Sequence, residues 1–478
     1  MTMDSAGLAK IPGVNHYEER FLIFLQWLRR PGTNIVYVTS EPIAPAILAY
    51  ILDLLPGCGG AATRRLTMLD CGSRAPVPLS AKVLGRPDVV EAIRAAVPDP
   101  ADAVLLAFNG SPVERALAVR LGIPLYAPDP DLAALGSKTG SRRLFAEAGI
   151  PMADGIEDLR GEADVVAALA ELRGRDRTLG TALVKLNDSF GAGGNVLFSF
   201  AGAPRTGLTG WIRRELPARA EFASPPDTWE TYREKLDAMG AVVERFVEAA
   251  QTASPSAQVL LAPGGAVRVL AAHDQVLSGP SGQIFVGCRF PARAGYRREI
   301  HRLALRAGRS LAGHGVVGLV SVDFLCARTG PGWRHYGLEI NLRMGGGTAP
   351  FFTLLGLAGG DCDPVTGRYL DATGRPRAYF ATDRLHRAEY QALDPAQVIA
   401  TLERSGLRYE PASSTGVVAY MLGALEIGRF GIVSIDTGAA AATARYRRVV
   451  AAIDAAAAGR EVSVPAPRRR PARRIRPG

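Results

Sequence analysis

GLVSVDFLCARTGPGWRHYGLEINLRMGGG, residues 318–347, decides the reading of this chain. Two runs rich in β-branched and aromatic residues flank a Gly-Pro-Gly turn, the pattern of a β-hairpin. A turn centred on Pro331 sets residues opposite one another when their numbers sum to 662, so Asp323 faces Glu339. Side chains alternate along a strand, which puts Glu339, Asn341 and Arg343 on one face and Leu338, Ile340 and Leu342 on the other. The apolar face can pack on a core. The polar face then gathers two carboxylates and an amide carbonyl, with an arginine at its end. Two such carboxylates repel unless a cation lies between them, and oxygen ligands of this kind suit Mg²⁺. The same alternation also describes an ordinary solvated sheet face. Gly345, Gly346 and Gly347 directly afterwards favour a ligand, because glycine lets backbone N–H groups approach an anion closely.

Upstream, TALVKLN (181–187) reads as a strand running into SFGAGGN, so Lys185 precedes Gly191, Gly193 and Gly194. A lysine with a glycine-rich loop can cradle phosphates, although the order differs from the GxxxxGKS of a P-loop. A flexible hairpin turn gives the same pattern. Lys138 stands at the mouth of GSKTGSRRLFAEAGIP (136–151), a basic helix closed by Gly149 and stopped by Pro151. AVVERFVEA (241–249) is an apolar segment carrying Glu244, and AQVLLAPGGAVRVLAAHDQVL (257–277) is a hairpin around Pro263-Gly264-Gly265.

The first third alternates strand-like runs (NIVYVTS at 34–40, RLTMLD at 65–70, AVLLAFN at 103–109) with helical stretches. One of these, SPVERALAVRLGIP, opens on Ser111 with Pro112 at its first position and Glu114 three residues after the cap. Such alternation implies a mostly parallel sheet with helices on its faces. No GxGxxG follows the first strand, so a dinucleotide fingerprint is missing. Beyond residue 360 come a loop-rich entry, a helix near 395–405, apolar strands in GVVAYMLGAL and FGIVSI, and an Ala-rich helix at 439–457.

At 478 residues, 47% of them hydrophobic, the chain can bury about three domain-sized cores. Five scattered cysteines form no CxxC pair and read as reduced thiols. The N-terminus lacks a signal pattern, and FLIFLQWL (21–28) is too short to span a membrane, so a cytoplasmic location is expected. Six arginines in the last eleven residues carry much of the net charge of +10, and without them it falls to +4. Nucleic acid is therefore not an expected partner of the folded part, and the tail is expected to be disordered.

In order, Lys138, Lys185 with its Gly loop, the E-R-F-V run at 244–247, and D…E-x-N-x-R in a hairpin resemble the ATP-grasp ligases over residues 135–350. Outside that core, HYEERFLIFLQWLRRP, VYVTSEPIAPAILAYILDLLPG and PVERALAVRLGIPLYAPDP are similar to one subfamily. It comprises the peptide ligases related to the pheganomycin peptide ligase of actinobacterial secondary metabolism. The resemblance implies an α/β chain with an α+β core. It divides into a pre-ATP-grasp Rossmann-like domain (1–134), a two-subdomain ATP-grasp domain (135–358), a small C-terminal domain (359–465) and the arginine tail (466–478).

The same resemblance implies ATP and two Mg²⁺ ions as cofactors, small carboxylate and amine substrates, and a homodimer. Lys138 and Lys185 would contact phosphates, with Lys185 also near the adenine, and Gly191–Gly194 would close over the phosphates. Glu244 and Val247 would offer backbone groups to the adenine edge and leave their side chains free. Asp323, Glu339 and Asn341 match the metal ligands, and Arg343 would face the transferring phosphate. Two departures stand out. The acidic ribose partner seven positions beyond the hinge glutamate is Gln251 here, with Glu248 as a substitute. The arginine found in many members two residues before the metal aspartate is Ser321. Arg268 and His273 are candidate replacements for that arginine, His273 more as a structural hydrogen-bonding residue, and 278–292 would line the acceptor side. The reaction implied is amide formation through an acyl phosphate. A non-catalytic ATP-binding protein, an RNA-associated protein using the arginine tail, and carboxylation or kinase chemistry are the alternatives.

Overall fold

A computed structural model describes residues 8–9, 11–58, 60–189, 193–223, 228–278 and 284–460. The arginine tail lies outside the described residues. In the first third the expected strands form two parallel pairs, not one sheet: β1 (Ile35–Thr39) with β2 (Leu66–Asp70), and β3 (Leu105–Leu106) with β4 (Leu125–Tyr126). Pro112–Leu121 is helical, with Ser111 accepting from the Val113 N–H as its cap.

Two further sheets hold the chemistry. The smaller is antiparallel, in the order β5 (Gly155–Leu159), β9 (Ala241–Arg245), β6 (Thr181–Leu186), β7 (Asn195–Ser199), β8 (Ala220–Phe222). Its alternating apolar residues, among them Val184, Val196, Phe198 and Val243, bury against helices Glu162–Arg175, Leu208–Arg219 and Trp229–Met239.

The larger sheet has nine strands. Its first members are β10 (Thr252–Ala253), β11 (Pro255–Leu261), β12 (Val267–Ser278), β13 (Ile284–Phe290), β14 (Gly318–Thr329) and β15 (Gly332–Asn341). Ala257, Val259, Val320, Val322 and Ile340 pack on one side against helices Ala294–Gly313 and Lys138–Glu147 through Ile300, Leu303, Leu144 and Phe145. Burying each of the valine, leucine, isoleucine and phenylalanine side chains is worth about 1.5–3 kcal/mol, which fixes which face of the sheet is left for polar residues.

After the short pair β16 (Asp361–Cys362) and β17 (Tyr369–Leu370), the chain returns to the same sheet. There β18 (Ala378–His386) pairs β13, while β19 (Gly416–Tyr420) and β20 (Arg429–Asp436) continue the sheet edge. The C-terminal region from 359 thus shares its sheet with the core. Among the described residues no helix is long and apolar enough to cross a membrane.

Candidate functional site

The hairpin β14–β15 places Asp323 opposite Glu339 and Ser321 opposite Asn341, as read from the sequence. The route to that register differs from the expectation. Thr329 pairs Gly332, so the turn itself is Gly330-Pro331 and its numbers sum to 661. A β-bulge between Asp323 and Phe324 then absorbs Leu338 as an extra residue and shifts the register by one. Carried on unbulged, the turn's register would pair Glu339 with Val322 and send the two carboxylates to opposite faces.

Around this pair the polar face closes. The Asn341 amide donates to Asp323 Oδ2 at 3.1 Å and to Glu339 Oε1 at 3.3 Å. Arg343 donates from Nη2 to Asn341 Oδ1 at 3.0 Å and from Nη1 to the Met344 carbonyl at 3.1 Å, with its guanidinium 5.8 Å from the Phe108 ring centre. The first third of the chain meets the site here, through the Asn109–Arg343 bridge and the Met344 N–H donating to the Phe108 carbonyl. Burial pushes the Asp323 carboxyl up, and the Glu339 charge adds to the shift. Burial would raise Glu339 as well, but the adjacent Lys138 ammonium together with Lys185 and Arg343 outweighs it and holds that carboxylate below its usual range.

Two carboxylates and an amide oxygen on one face form an all-oxygen donor set that fits a hard divalent cation. Ligation through Asn341 Oδ1 requires the amide to turn over, since its nitrogen now faces both carboxylates. Turning it over gives up the Arg343 donation to Oδ1, so that guanidinium would then need another acceptor.

The two lysines arrive from different elements. Helix Lys138–Glu147 starts at Ser137, whose hydroxyl accepts from the Gly140 N–H. Asn187 clamps the same helix end, taking the Lys138 N–H on its carbonyl at 3.2 Å and the Thr139 N–H on its side-chain oxygen at 3.0 Å. One turn later Ser141 Oγ accepts from the Ile340 N–H at 2.9 Å, tying the helix to β15. Lys138 consequently ion-pairs with Glu339. Lys185 on β6 pairs with Glu244 of β9 at 2.6 Å, and Arg142 reaches the other oxygen of that carboxylate at 2.9 Å. The Lys185 charge also acts on Glu339.

Glu244 corrects an expectation: its side chain is not free but 5% exposed and held by two cations. Burial works against its charge, yet Lys185 and Arg142 bring its pKa out below the ordinary carboxylate value.

The remaining candidates divide. Gly194 is tightly enclosed, its carbonyl accepting from the Tyr232 hydroxyl at 3.1 Å and the Leu186 N–H at 2.9 Å, and a Cβ there would collide with Ser189. Gly193 precedes it at the end of the loop, and Gly191 lies outside the described residues. Val247 and Glu248 follow β9 in a loop, half-buried and exposed respectively. Ser321 packs against Gly345, where a Cβ on that glycine would meet its Oγ.

Arg268 is not brought to the cluster. It pairs on the surface with Asp361 and lies opposite Leu260, two side-chain rows beyond Ser256, which is the residue paired with Asp323. His273 is 1% exposed and hydrogen-bonded to the Tyr379 hydroxyl, and burial lowers its pKa to about 3, so it is a neutral structural residue. Of the 278–292 segment, residues 279–283 lie outside the described residues.

Sequence reasoning passed over Arg142, Asn187 and Ser256. Arg142 follows Lys138 by four on a helix, so periodicity could have found it, whereas Asn187 lies in the turn just past the end of β6. Arg20 carries no such signal. It pairs with Asp383 at 2.7 Å, lies over the Tyr17 ring at 4.3 Å and is close enough to Arg343 for their charges to interact.

A family model described as "IQCH-like, ATP-grasp" matches residues 214–331. L-propargylglycine–L-glutamate ligase of Streptantibioticus cattleyicolor is 36% identical over 429 residues, which span 87% of this chain and 85% of that protein. IQ motif-containing protein H of Danio rerio is 26% identical over 241 residues, 44% of this chain and 23% of that one. Among solved structures, biotin carboxylase of Campylobacter jejuni in complex with β,γ-ATP superposes with a TM-score of 0.56 at 13% identity, covering 90% of this chain and 88% of that one. The ADP complex of N5-carboxyaminoimidazole ribonucleotide synthetase gives 0.53 at 11% identity, covering 90% and 93%.

Proposed function

The chain belongs to the ATP-grasp ligases, in the family of L-propargylglycine–L-glutamate ligase, and from that premise we propose how its own residues join a carboxylate to an amine at the expense of ATP. The observation that carries the proposal is the Asp323–Glu339 pair, which the bulged hairpin turns to one face beside Lys138 and within the field of Lys185. ATP brings about four negative charges, and phosphoryl transfer is catalysed mainly by positioning and charge neutralisation.

Lys138 and Lys185 come from a helix end and the small sheet and grip the phosphates from one side. Glu244 and Arg142 hold the Lys185 ammonium in place. Asp323, Glu339 and Asn341 would hold Mg²⁺, which, when bound, offsets phosphate charge and aligns the γ-phosphoryl group. A substrate carboxylate oxygen attacks the γ-phosphorus, the bond to the β-phosphate oxygen breaks, and ADP and an acyl phosphate form. The amine nitrogen then attacks the acyl carbon. Arg343 stabilises the tetrahedral oxyanion and the departing phosphate, and the amine gives up its proton as the amide forms. No side-chain nucleophile takes part.

The substrates this reading favours are amino acids or small peptides, in the manner of the related ligase, with a peptide-like natural product as the outcome. The test is incubation with amino-acid and peptide pools in the presence of ATP and Mg²⁺. ADP and phosphate should appear together with a product one water lighter than its summed substrates. Release of AMP in place of ADP overturns the acyl-phosphate route.

A further inference from the structure

The polar face of the large sheet accounts for the ligase reading, and the opposite face carries a basic cavity which that reading does not use. Alternation along β12 turns Asp274 away from the side on which His273 lies, and Asp274 pairs across with Arg289 of β13. A cavity of about 470 Å³ opens there, a volume typical of small-molecule sites. Arg289, Arg293, Arg297, Arg368 and Arg377 line it against one carboxylate, Asp274. That carboxylate accepts from the Tyr296 hydroxyl at 2.7 Å and the Arg293 N–H at 3.1 Å, and its single charge is shared among Arg289, Arg293 and Arg297.

The arginines are left with little neutralisation. Arg289 lies 5.8 Å from the Phe380 ring centre, and Arg297 donates to the carbonyls of Thr366 and Ala292, contacts that cancel no charge. Among the described residues Arg289, Arg293, Arg297 and Arg368 form no ion pair. Burial weakens the protonation of Arg297, and the like charge of Arg368 adds to that. Arg377 is 4% exposed and pairs with Asp371, yet its buried Nε–H has no acceptor among the described residues. Two long helices also begin at the cavity, Ala294–Gly313 and Ala439–Ala457, and neither has a side-chain cap. Their first-turn N–H groups add positive potential at the same place.

We propose that this cavity is a second ligand site, apart from the nucleotide cleft, for a compact multivalent phosphate anion. Unpaired guanidinium forks and helix N-termini match the oxygens of phosphate, and their number calls for more than one negative charge. The aromatic side chains of the lining, Tyr296 and Tyr369, are 2% and 1% exposed, so they offer no platform for a base.

The test is calorimetric titration of the full chain with inorganic pyrophosphate while a non-hydrolysable ATP analogue saturates the cleft. One saturable site is expected, weakening with salt, and inorganic phosphate should bind at least tenfold more weakly. The Arg293→Ala/Arg368→Ala double variant should lose at least tenfold in pyrophosphate affinity with unchanged affinity for the analogue. Both side chains are exposed, and Arg289→Ala provides a second, independent variant that should weaken binding in the same direction. No saturable heat with the cleft filled, or equal affinity in wild type and double variant, overturns the proposal. The site does not depend on the ligase reading: if the analogue fails to bind, that reading falls, and pyrophosphate titrated alone still decides this one.

Discussion

Two hairpins of the large sheet, β14–β15 and β11–β12, resemble one another in sequence and part company in use. Each is long, carries one bulge and bears charged or titratable residues at alternating positions. In β14–β15 the bulge aligns Asp323 and Glu339 on one face, where Lys138, Asn341 and Arg343 meet them. In β11–β12 the bulge at Gln258/Val259 turns Arg268 to the face of His273, but no cluster results. Tyr379 takes the histidine and Asp361 takes the arginine. Alternation assigns a face, while the elements packed on that face decide whether a polar residue becomes a site or a strut.

The largest effect that can break this contrast is Glu339→Gln. It removes the charge that faces Lys138 while keeping the shape, and ADP release should fall by roughly 10³-fold, the scale of losing a preorganised electrostatic group. A fall of less than tenfold would move the reaction elsewhere. Next comes Lys185→Ala, which takes one of the two cations from the buried Glu244. Arg142 still holds that carboxylate, so the cost should fall below the about 3 kcal/mol of a wholly unpaired buried charge, and thermal stability and nucleotide affinity should drop together. Nucleotide binding at wild-type strength would separate Lys185 from the phosphates.

The β11–β12 hairpin predicts smaller effects of another kind. His273 has a folded pKa lowered by burial to about 3, against an ordinary value of 6.5. The unfolded chain therefore takes up the proton first, and the stability due to this group is complete above 6.5 and eroded as the pH falls toward 3. Each pH unit in that window costs up to about 1.4 kcal/mol. Denaturant unfolding between pH 7 and 5 should thus be steeper in pH for the wild type than for His273→Gln, and parallel profiles would refute the assignment. Smallest of all is Arg268→Ala, because an exposed pair contributes about 0–1 kcal/mol. Its turnover should stay within about twofold of wild type, and a collapse would return Arg268 to the chemistry.

Much of the site is legible in the amino-acid order alone. Asp323, Glu339 and Asn341 emerge from strand alternation and one turn, and their pairing holds, although through a tighter turn plus a bulge at Leu338 that no pattern announces. The helix at 138–147 and the hairpin at Pro263-Gly264-Gly265 follow from local punctuation, since caps and turns are set by neighbouring residues. The role of the Glu244 side chain is not legible in this way. A hinge residue's backbone role says nothing of its side chain, whose partners Arg142 and Lys185 lie 102 and 59 positions away. The C-terminal strands are expected in a separate domain, but β18 adds to β13 from 88 positions further along the chain, a pairing decided by sheet edges and not by spacing.

The sequence by itself determined most local elements, the candidate ligand residues and their faces, because periodicity, caps and turn chemistry act over a few residues. Tertiary structure alone decided which cations meet which carboxylates, why His273 and Arg268 stay out, and that a second basic cavity lies behind the sheet. Those outcomes depend on burial and charge summed over elements far apart in the chain, and short-range patterns carry no record of that sum.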